Sequence, residues 1–194
     1  MASELRIGIL GAGGIAERAM VEPARDVDGV RVVAIGARDP ERARAFAERL
    51  ELPKHGDYET ILSDPDIDLV YLALPPITHA QWAIRALRAG KHVLCEKPLS
   101  VNGTTASAIA DAAAATGRRA FVVPQWGAAL RVTAGDEPLL EEKAAEGENS
   151  YARQVEHLVA VLADGSPSIL DARRGVGTMR VVDEIYRAAG LEPR

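Results

Sequence analysis

Leu5-Arg6-Ile7-Gly8-Ile9-Leu10-Gly11-Ala12-Gly13-Gly14-Ile15-Ala16 decides how the rest of the chain is read. A short apolar run passes into a glycine turn, and the residues from there to Pro23 have the composition of a helix. Each small residue in such a turn has its own use. Gly11 permits the tight bend, Gly13 lets a bound group approach the backbone, and Ala16 lets the helix lie close on the strand. The helix that starts there presents free N–H groups and a positive end, which suits a pyrophosphate. The pattern G-x-G-x-x-G/A in this position therefore points to dinucleotide binding, with Gly11, Ala12, Gly13, Gly14 and Ile15 around the phosphates. The alternative is a glycine turn with a purely steric role.

Outward from that turn, strand and helix patterns alternate. Val30 to Ile35 is a continuous apolar run of the kind a strand buried on both faces requires, and Pro40 to Leu50 is a charged, Ala-rich helix. A short helix over Asp57 to Ser63 precedes a strand over Leu69 to Leu74, which Pro75 and Pro76 end. Thr78 to Ala89 reads as a helix stopped by Gly90, His92 to Cys95 as a strand, and Val101 to Thr116 as a helix stopped by Gly117. This rhythm predicts an α/β fold, a doubly wound parallel sheet of Rossmann type over residues 1–120. Residues 121–194 read as a smaller α+β domain. Its short strand candidates at Ala120 to Val123, Ala128 to Thr133 and Leu139 to Ala144 suit a small antiparallel sheet. The Glu- and Gly-rich stretch Gly135 to Ser150 suits an exposed loop, and Tyr151 to Ala163 and Met179 to Ala189 carry apolar stripes at helical spacing.

Composition narrows the function. The chain has 194 residues, 47% hydrophobic and 26% charged, with a formal net charge of −5, a globular profile without the basic field that nucleic-acid binding needs. With Cys95 as the single cysteine, no intramolecular disulfide is possible and no Cys/His spacing suggests a metal site. The N-terminus has no signal-peptide pattern and the apolar runs are too short to span a bilayer, so a cytoplasmic protein with no membrane partner is expected.

Two further stretches bear on a cofactor. At the end of the second strand, Ile35-Gly36-Ala37-Arg38-Asp39 has small residues and an arginine where an NAD site usually places an acid. The Arg38 guanidinium suits a 2′-phosphate, which favours NADP(H) over NAD(H), while Asp39 is placed to cap the helix after Pro40. Leu74, Pro75 and His79 stand at the carboxyl end of the Leu69 strand, where this fold binds ligands, and His79 is a candidate hydrogen-bonding group beside the cofactor.

The stretch Ala89-Gly90-Lys91-His92-Val93-Leu94-Cys95-Glu96-Lys97-Pro98-Leu99-Ser100, at its distance from the glycine turn and from Pro75-Pro76-Ile77-Thr78-His79, resembles the hallmark of the Gfo/Idh/MocA family of NAD(P)-dependent oxidoreductases. The resemblance runs over residues 4 to 120. An ammonium at a strand's carboxyl end can polarise a carbonyl and exchange a proton, and the resemblance implies that catalytic role for Lys97. Glu96 is a candidate to orient it, and Pro98 a candidate for a cis bond. The implied reaction moves a hydride to or from a carbonyl or secondary alcohol of a sugar, polyol or dihydrodiol.

After residue 120 the resemblance weakens. The family continues into a large substrate domain, often with an Asp and a His four apart on a helix, and no D-x-x-x-H follows Lys97. The remaining residues resemble only late strands and closing helices of that domain, and His157, off the apolar stripe of its helix, is expected in solvent. A shortened sheet would leave edges exposed, so a homodimer is expected to cover them. The alternative to an enzyme acting on a small-molecule substrate is a non-catalytic dinucleotide-binding protein serving as sensor or partner subunit.

Overall fold

A computed structural model describes residues 4–123, 130–134, 137–142 and 150–193, the second and third of these segments as backbone. Six parallel strands form its centre: β1 (Leu5–Leu10), β2 (Val30–Gly36), β3 (Lys54–Gly56), β4 (Leu69–Leu72), β5 (His92–Cys95) and β6 (Ala120–Val122), in the order β3-β2-β1-β4-β5-β6. This is the expected doubly wound Rossmann sheet. In β1, Ile7 and Ile9 enter the apolar core on one face, while Leu10 enters the core on the other. Gly8 leaves room there, since a Cβ would stand 2.8 Å from Ile61 Cγ2 and 2.7 Å from Ile67 Cδ1.

The first crossover is irregular. It opens as α1 (Gly14–Ala16), widens to a π-helical turn at Glu17–Val21 and closes as α2 (Glu22–Arg25). Pro23 has no N–H for a regular i to i−4 bond, and the chain continues past it after this widened turn. Then come α3 (Pro40–Leu50), α4 (Tyr58–Ser63), α5 (Pro76–Arg88) and α6 (Gly103–Thr116). The Asp39, Asp57 and Asn102 side chains cap α3, α4 and α6 by accepting backbone N–H bonds.

Several local expectations need correction. Strand β3 was not foreseen, because three residues that include Lys54 and His55 carry no hydrophobic pattern. The Leu69 strand ends at Leu72, before its two prolines. The Ala120 strand pairs parallel with β5 and so belongs to the main sheet rather than to the small antiparallel one; a boundary drawn after residue 120 falls inside it. The last helix, α8 (Ala172–Ala188), starts well before Met179. Gly175 and Gly177 mask its start in the sequence, while the Asp171 side chain caps it by accepting from Arg173 N.

Beyond β6, β7 (Leu130–Ala134) and β8 (Glu137–Glu142) pair antiparallel; of the loop expected over 135–150, residues 137–142 form strand β8 instead, and 135–136 and 143–149 lie outside the described residues. The closing helices pack on opposite faces of the main sheet. On one face α7 (Ser150–Asp164) buries Val155, Leu158 and Val161 in the core that holds Ile7 and Ile9; on the other α8 buries Val176 and Met179 beside α6. Arg119 donates to Val161 O at 2.6 Å and to Ser166 O at 2.8 Å. Asp183, buried in α8, accepts from Gly103 N at 2.8 Å, which serves an otherwise unpaired N–H in the first turn of α6. The outer edge of β6 is met by the chain itself, where Val122 N donates to Leu170 O at 2.8 Å. His157 is half-buried rather than solvated, with Nε2 2.8 Å from Ser168 Oγ. No helix among the described residues is long and apolar enough to cross a membrane.

His92, at the start of β5, accepts from Arg119 N at Nδ1 over 3.0 Å. Burial, with the positive charges of Arg118 and Arg119, lowers its pKa to about 4. The unfolded chain takes up this proton near pH 6.5 and the folded chain does not, so stability is lost as pH falls from about 6.5 towards about 4. Urea denaturation at pH 7.5, 6.5 and 5.5 is expected to show a loss of at most about 1 kcal/mol across the lower interval and less across the upper one. His92→Asn, which keeps an acceptor but cannot titrate, should flatten this pH dependence.

Candidate active site

The strand order reverses between β1 and β4, and a cleft of about 560 Å³ opens beside the turn that follows β1. Its size is that of a small-molecule site. Backbone bonds pin the turn: Gly11 N donates to Gly36 O at 2.8 Å, and Ala73 N to Leu10 O at 2.9 Å. Gly11 has φ +113°, and a Cβ on it would lie 2.2 Å from Ala73 O. Gly13 differs. Its backbone is extended (φ −130°, ψ 165°), and a Cβ there would meet nothing within 4 Å. The space over Gly13 is therefore kept open by the absence of a side chain, beside the first helical N–H groups.

Of the residues singled out in the sequence, Gly11, Ala12, Gly13, Ala37, Arg38, Leu74 and Pro75 line this cleft; Gly14, Ile15, His79, Glu96 and Lys97 do not. Arg38 is exposed at its margin, and its side chain has no hydrogen-bond or ion-pair partner among the described residues. Asp39 caps α3 as expected. Sequence reasoning missed Arg42, which also lines the cleft and donates from Nε to Ala12 O at 2.9 Å. Its position four residues after Arg38, in the first turn of a helix, was the available signal. Tyr58 and Trp82, also missed, form an edge-to-face pair with centroids 4.8 Å apart on the cleft wall. Tyr58 comes from α4 and Trp82 from α5, so only tertiary packing brings them together.

Lys97 follows β5 and lines a neighbouring cavity of about 440 Å³. Its ammonium is exposed and unpaired among the described residues. Glu96 meets the backbone of Lys97: one carboxylate oxygen accepts from Lys97 N at 3.1 Å, the other from Tyr71 Oη at 2.6 Å. Burial, reinforced by the Glu96 carboxylate, pushes the Tyr71 phenol far up, which keeps it a donor. Lys97–Pro98 is cis. Cys95 is buried with its thiol pushed up by burial.

His79 is fully buried and does not line the cleft. Its Nδ1 lies 3.0 Å from Pro98 O and its Nε2 2.7 Å from Leu74 O. The ring thus joins the loop of the first cleft to the loop that carries Lys97.

Residues 5–123 match the model of the oxidoreductase family with an NAD-binding Rossmann fold, Gfo/Idh/MocA. The chain belongs to this family. An uncharacterised oxidoreductase from Rhizobium meliloti is 41% identical over 150 residues, 74% of this chain and 45% of the relative. A dTDP-3,4-didehydro-2,6-dideoxy-alpha-D-glucose 3-reductase from Saccharopolyspora spinosa is 48% identical over 107 residues, 55% of this chain and 31% of the relative. The crystal structure of a 3-ketoreductase from Actinomadura kijaniata with NADP and TDP-benzene superposes with a TM-score of 0.59 at 36% identity, covering 62% of this chain and 37% of that one. This Gfo/Idh/MocA chain thus spans less than half the length of these relatives.

The two glycines of the turn should separate in mutagenesis. Gly11→Ala meets both the Ala73 carbonyl and an unfavourable φ, and is expected to cost at least about 1–3 kcal/mol in urea denaturation. Gly13→Ala should stay within about 0.5 kcal/mol of the unmodified protein.

Proposed function

We propose that this chain is an NADP(H)-dependent oxidoreductase acting on a carbonyl or secondary alcohol of a small molecule of the sugar or polyol class. The open cradle over Gly13 carries the reading, because its extended backbone requires no glycine and only an incoming group needs the space. The residues fit a dinucleotide. Gly11, Ala12 and Gly13 would lie along the pyrophosphate, and Arg38, with no counter-ion among the described residues, would meet a 2′-phosphate with Arg42 beside it. A nicotinamide cofactor supplies or accepts hydride when bound. Lys97 would hold the substrate oxygen and move a proton at Nζ, from a backbone position kept by Glu96. The sugar class is supported by the likeness to the dTDP-sugar 3-reductase from Saccharopolyspora spinosa, and NADP by the cofactor in the Actinomadura structure.

Titration with NADPH and NADH, followed by quenching of tryptophan fluorescence with Trp82 in the cleft wall, is expected to show tighter binding of NADPH. Arg38→Ala should weaken NADPH about tenfold or more and leave NADH nearly unchanged. Gly13→Val should abolish binding of both without lowering the melting temperature. Tighter NADH would overturn the role of Arg38. For any sugar or polyol the protein turns over, Lys97→Ala should lower turnover about 10²- to 10⁴-fold with NADPH affinity intact; undiminished turnover would remove Lys97 from the chemistry.

A further inference from the structure

The cavity beside Lys97 has its own character. It lies at the carboxyl ends of β5 and β6, where doubly wound sheets bind ligands, and its walls are largely apolar, from Leu99, Val122, Val123 and Met179. Its charged groups among the described residues are Lys97 and Arg174, and none of the described lining residues carries a carboxylate. Neither side chain has a hydrogen-bond or ion-pair partner among the described residues. Two unpaired cations at one partly apolar cleft repel each other and set up a positive field that an anionic group relieves.

The position of Arg174 is built in. Gly175, the next residue, lies so close to the Lys97 loop that a Cβ would stand 2.9 Å from Leu99 Cδ2, 3.2 Å from Leu99 Cβ and 3.5 Å from Val122 Cγ1. That approach brings the first turn of α8 against the loop after β5, with Thr178 one turn further along the same wall. A helix start is also an unfavourable place for an arginine, since the dipole there is positive. An oxyanion close to Arg174 would offset that cost.

We propose that this second cavity binds an oxyanion carried by the substrate, so that Arg174 selects carbonyl or hydroxyl compounds bearing a carboxylate or phosphate. The assignment rests on the reading above that Lys97 holds the substrate oxygen. Lys97 then meets the reacting oxygen at one side of the apolar cavity while Arg174 meets the charged end, and the neutral body of the ligand lies against Val122, Val123 and Met179.

Calorimetric titrations of the whole chain with D-glucose, D-glucuronate and D-glucose 6-phosphate, each with and without NADPH, test this. One or both charged sugars are expected to bind at least about tenfold tighter than glucose, with the advantage shrinking as salt is raised. Which of the two binds tighter distinguishes a carboxylate from a phosphate ligand. Arg174→Met, at an exposed position, should remove the advantage and leave NADPH affinity unchanged. Equal affinity for all three sugars, or no saturable binding of either charged one, would overturn the proposal. So would an advantage that survives Arg174→Met. If charged sugars bind in an Arg174-dependent way while NADPH does not bind at all, the anion site stands and the oxidoreductase reading fails.

Discussion

Between the ends of β1 and β4 the Gly11 backbone lies so close to the Ala73 carbonyl oxygen that a Cβ would stand 2.2 Å from it. Much else in the molecule is arranged around that approach. It lets the turn bend sharply at the point where strand order reverses, beside the cleft that Gly11, Ala12 and Gly13 line. The same turn is tied to β2 through Gly36 O and to α3 through Arg42. Cleft shape and cleft charge thus share one backbone constraint.

The Lys97 loop is held differently, by polar groups that have lost access to water. Tyr71 is fully buried in β4 and Glu96 almost so, and each satisfies the other while Glu96 also serves the Lys97 N–H. His79 performs the matching task on the far side through Pro98 O. Buried polar groups of this kind contribute modestly when paired, yet leaving one unpaired costs about 1–3 kcal/mol. This asymmetry fixes the backbone around Lys97 while its own ammonium stays exposed and without a partner among the described residues.

The closing helices show how packing overrides a linear reading of domains. α7 and α8 lie on opposite faces of the sheet, through Val155, Leu158 and Val161 on one side and Val176 and Met179 on the other. Their apolar stripes were visible in the sequence at helical spacing. Which surface each would cover was not, because an apolar stripe demands burial without naming a partner. Gly175 illustrates this: in sequence it weakens a helix, while in the fold it admits Leu99 and Val122.

Local patterns were sufficient for the core of the architecture. Apolar runs at β1, β2, β4 and β5, the helix caps at Asp39 and the stops at Gly90 and Gly117 act within a few residues, so the alternation of strand and helix, the glycine turn and the Lys97 motif could all be read directly from Leu5 to Ser100. Short polar β3, the parallel pairing of β6, the joining of Arg42, Tyr58 and Trp82 at one cleft, and the placing of Arg174 and Lys97 along one cavity were decided only by tertiary structure. Each depends on contacts between residues far apart in the chain, and the free energy of such a contact resides in neither partner's sequence alone.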